Sequence, residues 1–465
     1  MSPLPLVESD DNAIPLTLIT DVKLDDWRNA QADAVKAWLS ATGFSGKAGE
    51  ICLMPRDDGT VASVMVGLGD GEDKWAAGRL ARSLPEGTYR LDQIVGVQDK
   101  DKNQTATWVA LAWCLGAYRF DRYKTEPSSL AAVLVWPDEV DRGYVEGAAE
   151  AAILTRDLIN TPAEDMGPDA LAAAAEALAT EHGAVVKLTI GDDLLSENYP
   201  AIHAVGRAAD VAPRLIDMVW GEADAPKVTL VGKGVCFDSG GLDIKPSSGM
   251  RWMKKDMGGG ATVLGLADWI MRAKLPVRLR VIVPAVENAI AGNAFRPGDV
   301  VPTRKGATIE VGNTDAEGRV VLADALALAC EESPDLLIDC ATLTGAARVA
   351  LGPELPALFT PDDDLADELL DAGLQNNDPM WRLPLWAGYR RLIDSKVADI
   401  SNSGESGLAG AITAALFLKT FVGDETPWVH LDLFGWNPDD KPGRPTGGEA
   451  YAQRAIFEVI RKRFA

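Results

Sequence analysis

The sequence predicts an α/β fold in two parts: a smaller N-terminal α/β domain, a long connecting helix, and a larger C-terminal α/β domain with a mixed, largely parallel central sheet. Three observations predict it. Short apolar runs of strand length alternate with amphipathic helical patterns through both halves. One Ala-rich helical pattern between them runs over 139–159 and stops before Asn160-Thr161-Pro162, because the residue preceding a proline is pushed out of the helical region. The chain has 465 residues, enough for two or three domains and a large core. The expected division is 1–138, 139–160 and 161–465.

In the first part the strands are expected at 15–19, 50–54, 61–66 and 131–136, with helices over 24–39, 73–84 and 105–118. Trp27, Trp38, Trp75, Trp108 and Trp113 fall at spacings that suit packing rather than chemistry. After Pro162 the alternation resumes, with helices at 168–181 and 192–198 and strands at 185–190, 214–220 and 227–231. No repeat and no low-complexity linker interrupts it.

Composition excludes several partners. The formal charge of -24 repels phosphate backbones and anionic membrane surfaces, so nucleic acid is disfavoured. Five cysteines without CxxC spacing indicate neither a disulfide framework nor a thiolate zinc site. Only three histidines occur, His182, His203 and His430, so a metal would rest on carboxylates. There is no basic, apolar leader and no apolar run of membrane length, and the expected location is the cytoplasm.

Two stretches concentrate chemistry. Asn313-Thr314-Asp315-Ala316-Glu317-Gly318-Arg319 lies between a short strand pattern at 307–311 and a helical pattern that follows. Carboxyl ends of strands before helices are where ligands bind in open α/β sheets, although acids at a helix N-terminus also occur simply because they suit its dipole. The second stretch follows the 228–231 strand and offers Lys233, Asp238, Lys245 and Asp256 within 24 residues. Gly240 and Gly241 allow a sharp turn there, and Gly258, Gly259 and Gly260 open the next helix. Neither phosphate-loop spacing is present, so a nucleotide loop is excluded. If both stretches reach one sheet edge, Asp238, Asp256, Asp315 and Glu317 converge. Two divalent cations at roughly 3.5 to 4 Å would explain that convergence and would serve hydrolysis by an activated water. A structural network of ion pairs is the alternative.

Three motifs, Lys233-Gly234-Val235-Cys236-Phe237-Asp238-Ser239-Gly240-Gly241, Met253-Lys254-Lys255-Asp256-Met257 and Asn313 to Arg319, occur in order. In these the chain resembles the leucyl (cytosol) aminopeptidase family of dizinc or dimanganese exopeptidases. The resemblance extends over about 150–465. It implies one metal held by Asp238, Asp315 and Glu317 and a second held by Lys233, Asp238, Asp256 and Glu317. It further implies hydrolysis of N-terminal residues, Leu, Met and similar, from peptides with a free N-terminus. Lys245 would stabilise the oxyanion, and Arg319 would hold a bicarbonate ion as proton shuttle. Met253, Asn313, Thr342, Leu343 and Gly345 would meet the substrate. A homohexamer, two stacked trimers, is also implied. Three features depart from the family pattern. Cys236 beside Asp238 reads as packing, Gly259-Gly260 stands for a commoner Gly-Ala, and Phe434 and Trp436 reshape the pocket. His430 is expected to be structural. A dimetal hydrolase of another bond, such as a phosphoester, and a DNA-binding regulatory role are the competing readings.

Overall fold

Two sheets organise the chain in the computed structural model, which describes residues 4–126, 132–404 and 406–465. They belong to two units, 1–149 with 438–446 and 150–437 with 447–465. The protein is a two-part α/β molecule with interleaved helices and strands and mixed, mostly parallel sheets.

The sheet of the first unit has six strands: β1 (Leu6–Val7), β2 (Ile14–Thr20), β3 (Ile51–Pro55), β4 (Val61–Gly69), β5 (Gly87–Val95) and β6 (Ala132–Val135). Their order is β1-β6-β5-β2-β4-β3, parallel except at the β3/β4 hairpin. Central β2 buries Leu16, Leu18 and Ile19 completely, as a strand covered on both faces does. The strand expected at 131–136 is β6; Ala131 lies outside the described residues. β5 was not foreseen. Its alternation, Tyr89-Arg90-Leu91-Asp92, is short and ends at Gln93, and its pairing comes from parallel neighbours β2 and β6.

The helix expected over 24–39 is two helices, Asp21–Asn29 and Asp33–Thr42. Ala32 at the break is extended, and Ala30, Gln31 and Ala32 offer no large apolar group to bind the joint to the sheet. Both helices lay apolar residues, Leu24 with Trp27 and Val35 with Leu39, on one small cluster. The helix expected over 73–84 shrinks to Leu80–Ser83 because Asp73 folds its carboxylate back onto Trp75 N and holds a turn. Three of the five tryptophans singled out, Trp75, Trp108 and Trp113, are buried, whereas Trp38 is exposed. The long helix is Arg142–Asn160 and starts later than expected, since Glu139 adopts a left-handed φ of 56°.

The second unit is built on nine strands: β7 (Val185–Ile190), β8 (Arg214–Trp220), β9 (Lys227–Gly232), β10 (Gly234–Asp238), β11 (Arg278–Asn288), β14 (Leu336–Ala341), β15 (Ala357–Phe359), β16 (Trp381–Arg382) and β18 (Trp428–Asp432). A separate small sheet holds β12 (Val300–Pro302), β13 (Thr308–Glu310) and β17 (Ile400–Ser401). The large sheet runs β16-β15-β18-β14-β9-β11-β8-β7, with β10 also on β11. Its centre, β18-β14-β9-β11, is parallel and buried on both faces.

Two expectations change here. The strand before the second acid pair is β13, in the small sheet, so Asp315 and Glu317 do not share the sheet edge of Asp238. Between the expected 227–231 strand and Asp238 runs a further strand that was not foreseen, β10, parallel to β11. The helix expected at 192–198 shortens to Asp193–Ser196, and a separate helix that was not foreseen, Pro200–Gly206, follows it, started by Pro200 at its first position.

Candidate metal centre

Lys233 occupies the joint where β9 gives way to β10. Its main chain is fixed on two sides: its N–H donates to Cys340 O at 3.0 Å, and its carbonyl accepts from Gly260 N at 2.8 Å. Glycine at 259 permits this packing, because a Cβ there would come within 2.0 Å of Cys340 O. The joint aims the Lys233 side chain past the strand ends. There Nζ lies 2.6 Å from Asp256 Oδ2 and 2.9 Å from Glu317 Oε1, and donates to Thr342 O at 3.0 Å.

Asp238 ends β10. Its Oδ1 accepts from Gly240 N and from Asn288 Nδ2, each at 2.8 Å, and Lys245 Nζ stands 2.8 Å from Oδ2. Gly240, at φ 88°, makes the turn that brings Lys245 back over the strand end. Asp256 sits on the short turn Met253–Met257, where Thr342 Oγ1 donates at 2.9 Å to its main-chain oxygen or to its carboxylate. Asp315 pairs with Lys245 from the turn before the helix Glu317–Cys330.

Oxygens of Asp238, Asp315 and Glu317 lie within 4.8 Å of one another. The fold thus brings together Lys233, Asp238, Lys245, Asp256, Asp315 and Glu317. Met253, Thr342, Leu343 and Gly345 line the same cavity of about 420 Å³. Asn313 does not line it. Its Oδ1 accepts from Asp315 N at 2.8 Å and so holds the turn.

Three positioning residues, Asn402, Asn288 and Asp243, were not among the expected site residues, although Glu287-Asn288 is one of the segments that resemble the family. Asn402 accepts from Gly312 N at 2.8 Å, donates to Asn313 O at 2.7 Å, and offers its own carbonyl to Arg319 Nη1 at 2.7 Å. Asn288 joins Asp238 to Thr314 O, at 3.0 Å from the latter. Asp243 accepts from Thr314 N at 2.8 Å, binding the two acid turns to each other. Asn and Asp are common turn residues anywhere in a chain, so spacing alone does not mark them.

The charges do not balance. Four carboxylates meet the ammonium groups of Lys233 and Lys245, with a third, Lys255, at 3.7 Å from Asp256. Glu317 is buried, and neither of its carboxylate oxygens has a hydrogen-bond partner among the described residues; its ion-pair partner is Lys233. Burial, with the Asp238 charge beside it, pushes the Glu317 carboxyl up to about 8 against the pull of Lys233. Burial and Asp238 likewise raise Asp315. Burial alone would raise Asp256 and lower Lys233, yet their mutual attraction outweighs it, so Asp256 moves down and Lys233 moves up. Buried carboxylates without partners are costly unless a cation joins them. This donor set, oxygen-rich with one amine, fits hard or borderline divalent cations.

A second group, Glu181, His182 and Asp268, also has ligand spacing. It already holds a cation: Arg272 lies 3.1 Å from both Glu181 and Asp268 and 2.8 Å from Glu150. The thiol of Cys236 is buried, which raises it, and it donates to Gly234 O, as expected of a packing residue. His430 is buried on β18 with Nδ1 2.6 Å from Asp339, a structural setting.

Residues 153–457 match the model of the cytosol aminopeptidase family catalytic domain, and residues 14–137 match the N-terminal domain of M17 aminopeptidases. A probable cytosol aminopeptidase of Roseiflexus castenholzii is 42% identical over 394 residues, covering 80% of each chain. The crystal structure of a cytosol aminopeptidase from Coxiella burnetii superposes with a TM-score of 0.94 at 51% identity, over 99% of this chain and 100% of that one. The bottromycin maturation enzyme BotP, in complex with Mn, superposes with a TM-score of 0.88 at 37% identity, over 98% and 100%.

Proposed function

Since the chain belongs to the cytosol aminopeptidase family and is therefore a peptidase, we propose that it removes N-terminal residues from peptides at the cluster around Glu317, with two divalent cations. The observation that carries the reading is Glu317 itself, a buried carboxylate that accepts no hydrogen bond among the described residues and stands among three further acids.

Asp238, Asp315 and Glu317 would hold one cation, and Lys233, Asp238, Asp256 and Glu317 the other, with 161–465 as the catalytic domain after the 139–160 connection. Manganese and zinc are the candidates, manganese being the ion bound by BotP. Bound there, the pair supplies Lewis acidity and an acidified water. Lys233 would have to bind as the neutral amine, which neighbouring dications favour. Lys245, half-buried over the strand ends, directs an ammonium into the cavity, suited to an oxyanion.

Arg319 is buried. Nη1 reaches Asn402 O, but Nε has no hydrogen-bond partner and no carboxylate lies within ion-pair distance among the described residues. Burial pulls the guanidinium down to about 10, still cationic at neutral pH. Unused donors on a buried cation suit a small planar anion such as bicarbonate. Thr342, Leu343 and Gly345 would align the substrate main chain, and Met253 would flank an apolar first side chain.

The test is exhaustive chelation followed by return of manganese or zinc. Cleavage of Leu-X peptides is expected to vanish and return, while N-acetyl-Leu-X stays intact. Full activity in chelated protein, or a phosphatase activity without peptidase activity, overturns the reading. Among the described residues no helix is long and apolar enough to cross a membrane, and a cytoplasmic setting is part of the proposal. So is a hexamer of two trimers, for which light scattering of the eluted protein should return six times the chain mass.

A further inference from the structure

The cavity lined by Asp238, Asp256 and Asp315 is also lined by two cations that share one aromatic ring. Lys255 Nζ lies 5.0 Å from the centre of the Phe434 ring, and the Arg348 guanidinium lies 5.1 Å from the same ring. Both side chains line the cavity with Met253 and Thr342. Lys255 is 5% exposed, and its one ion-pair contact is Asp256 Oδ1 at 3.7 Å. Arg348 has no carboxylate within ion-pair distance among the described residues. The other acid nearby, Asp432, is taken up by Leu343 N at 3.0 Å, Thr344 N at 3.1 Å and Thr344 Oγ1 at 2.6 Å.

Two like charges over one ring repel each other. A desolvated ammonium without a close carboxylate is as costly as an unpartnered acid. Cation–π contact with Phe434 offsets part of this, and an incoming carboxylate would offset more, in charge-assisted bonds to the guanidinium. Met253, Lys255 and Arg348 line one cavity, so a first side chain flanked by Met253 shares that space with the cations.

We propose that Arg348 and Lys255 form an anion subsite that receives the side-chain carboxylate of an N-terminal glutamate or aspartate, so that acidic first residues are cleaved alongside apolar ones. This rests on the peptidase reading above. The same chemistry could come from the C-terminal carboxylate of a dipeptide, and the experiment separates the two.

Metal-loaded protein is assayed on Glu-Gly-amide against its neutral isostere Gln-Gly-amide, and on Leu-Gly against Leu-Gly-amide. The expected result is a kcat/KM ratio of about ten for Glu over Gln, falling to about one in Arg348→Met and reversing toward Lys-Gly-amide in Arg348→Glu. Lys255→Met should lower the same ratio with metal content retained. A wild-type Glu/Gln ratio near one, or a ratio untouched by Arg348→Met, overturns the proposal. So does an Arg348→Met effect confined to the Leu-Gly pair, which would move the subsite to the main-chain carboxylate. If no peptide is cleaved, the peptidase reading fails, and calorimetric binding of free L-glutamate and L-glutamine decides the subsite. Tighter glutamate binding that Arg348→Met abolishes supports it, and equal binding overturns it.

Discussion

Thr342 is tied to Lys233 and to Asp256 at once: its main-chain oxygen accepts from Lys233 Nζ at 3.0 Å, and its hydroxyl approaches Asp256 Oδ1 at 2.9 Å. One residue at the end of β14 therefore orients two groups contributed by different turns. Thr342→Val keeps the shape and removes the hydroxyl. Metal affinity should fall by about tenfold or more, the usual scale for losing a partner that orients a ligand, while the far-ultraviolet circular dichroism stays the same. Metal titration of the apo-protein measures it.

Glu317 and Arg319 share one helical turn but should separate cleanly. Glu317→Gln is expected to lose both bound metal and activity. Arg319→Ala should retain metal and lose about a hundredfold in kcat, the range of a lost proton-transfer device. Elemental analysis beside steady-state kinetics distinguishes them, and full metal occupancy in Glu317→Gln would refute the bridging role.

Gly318 leaves the space that Lys233 fills. A Cβ at 318 would lie 2.6 Å from Lys233 Cε and 2.7 Å from Nζ. Gly318→Ala should therefore displace the lysine and weaken metal binding. An alanine is otherwise favoured in a helix by about 1 kcal/mol, so the thermal midpoint of the apo-protein should not drop as it would for a core cavity.

His430 gives a pH dependence with a definite sign. Burial alone would lower it, but Asp339 outweighs burial and raises its pKa in the folded protein above the unfolded value of about 6.5. The stability it contributes is complete below that unfolded value and is lost as pH rises through the higher folded one. The difference in urea midpoint between wild type and His430→Gln should thus be largest in mild acid and shrink on the alkaline side. A difference that grows with pH contradicts the assignment.

Much of the cluster was legible because its chemistry is written in side-chain type. Acids gathered in two short stretches, each following a strand pattern and rich in nearby glycine, marked Asp238, Asp256, Asp315 and Glu317 in the sequence. What spacing could not supply was the route by which they meet. β13 has the local pattern of any short strand, and only long-range pairing with β12 and β17 puts it outside the main sheet. Asn402 lies about ninety positions from the turn it braces. The cations on Phe434 were invisible for the same reason, since Lys255 and Arg348 are unremarkable as sequence and acquire meaning only over a shared ring.

Residues 438–446 group with the first unit although they follow most of the second in sequence. Asp440 meets Arg82 at 3.0 Å, and Gly443 N donates to Gly78 O at 3.0 Å, with no room for a side chain on Gly78. On a translating ribosome this segment arrives late. The 288 residues from 150 to 437 take roughly 15 to 60 seconds to synthesise at ordinary elongation rates. Through that interval the first unit lacks a piece of its own packing, with Trp75 uncovered where Arg444 will later rest on its ring. Completion of the first unit is thereby made contingent on most of the second unit having been synthesised.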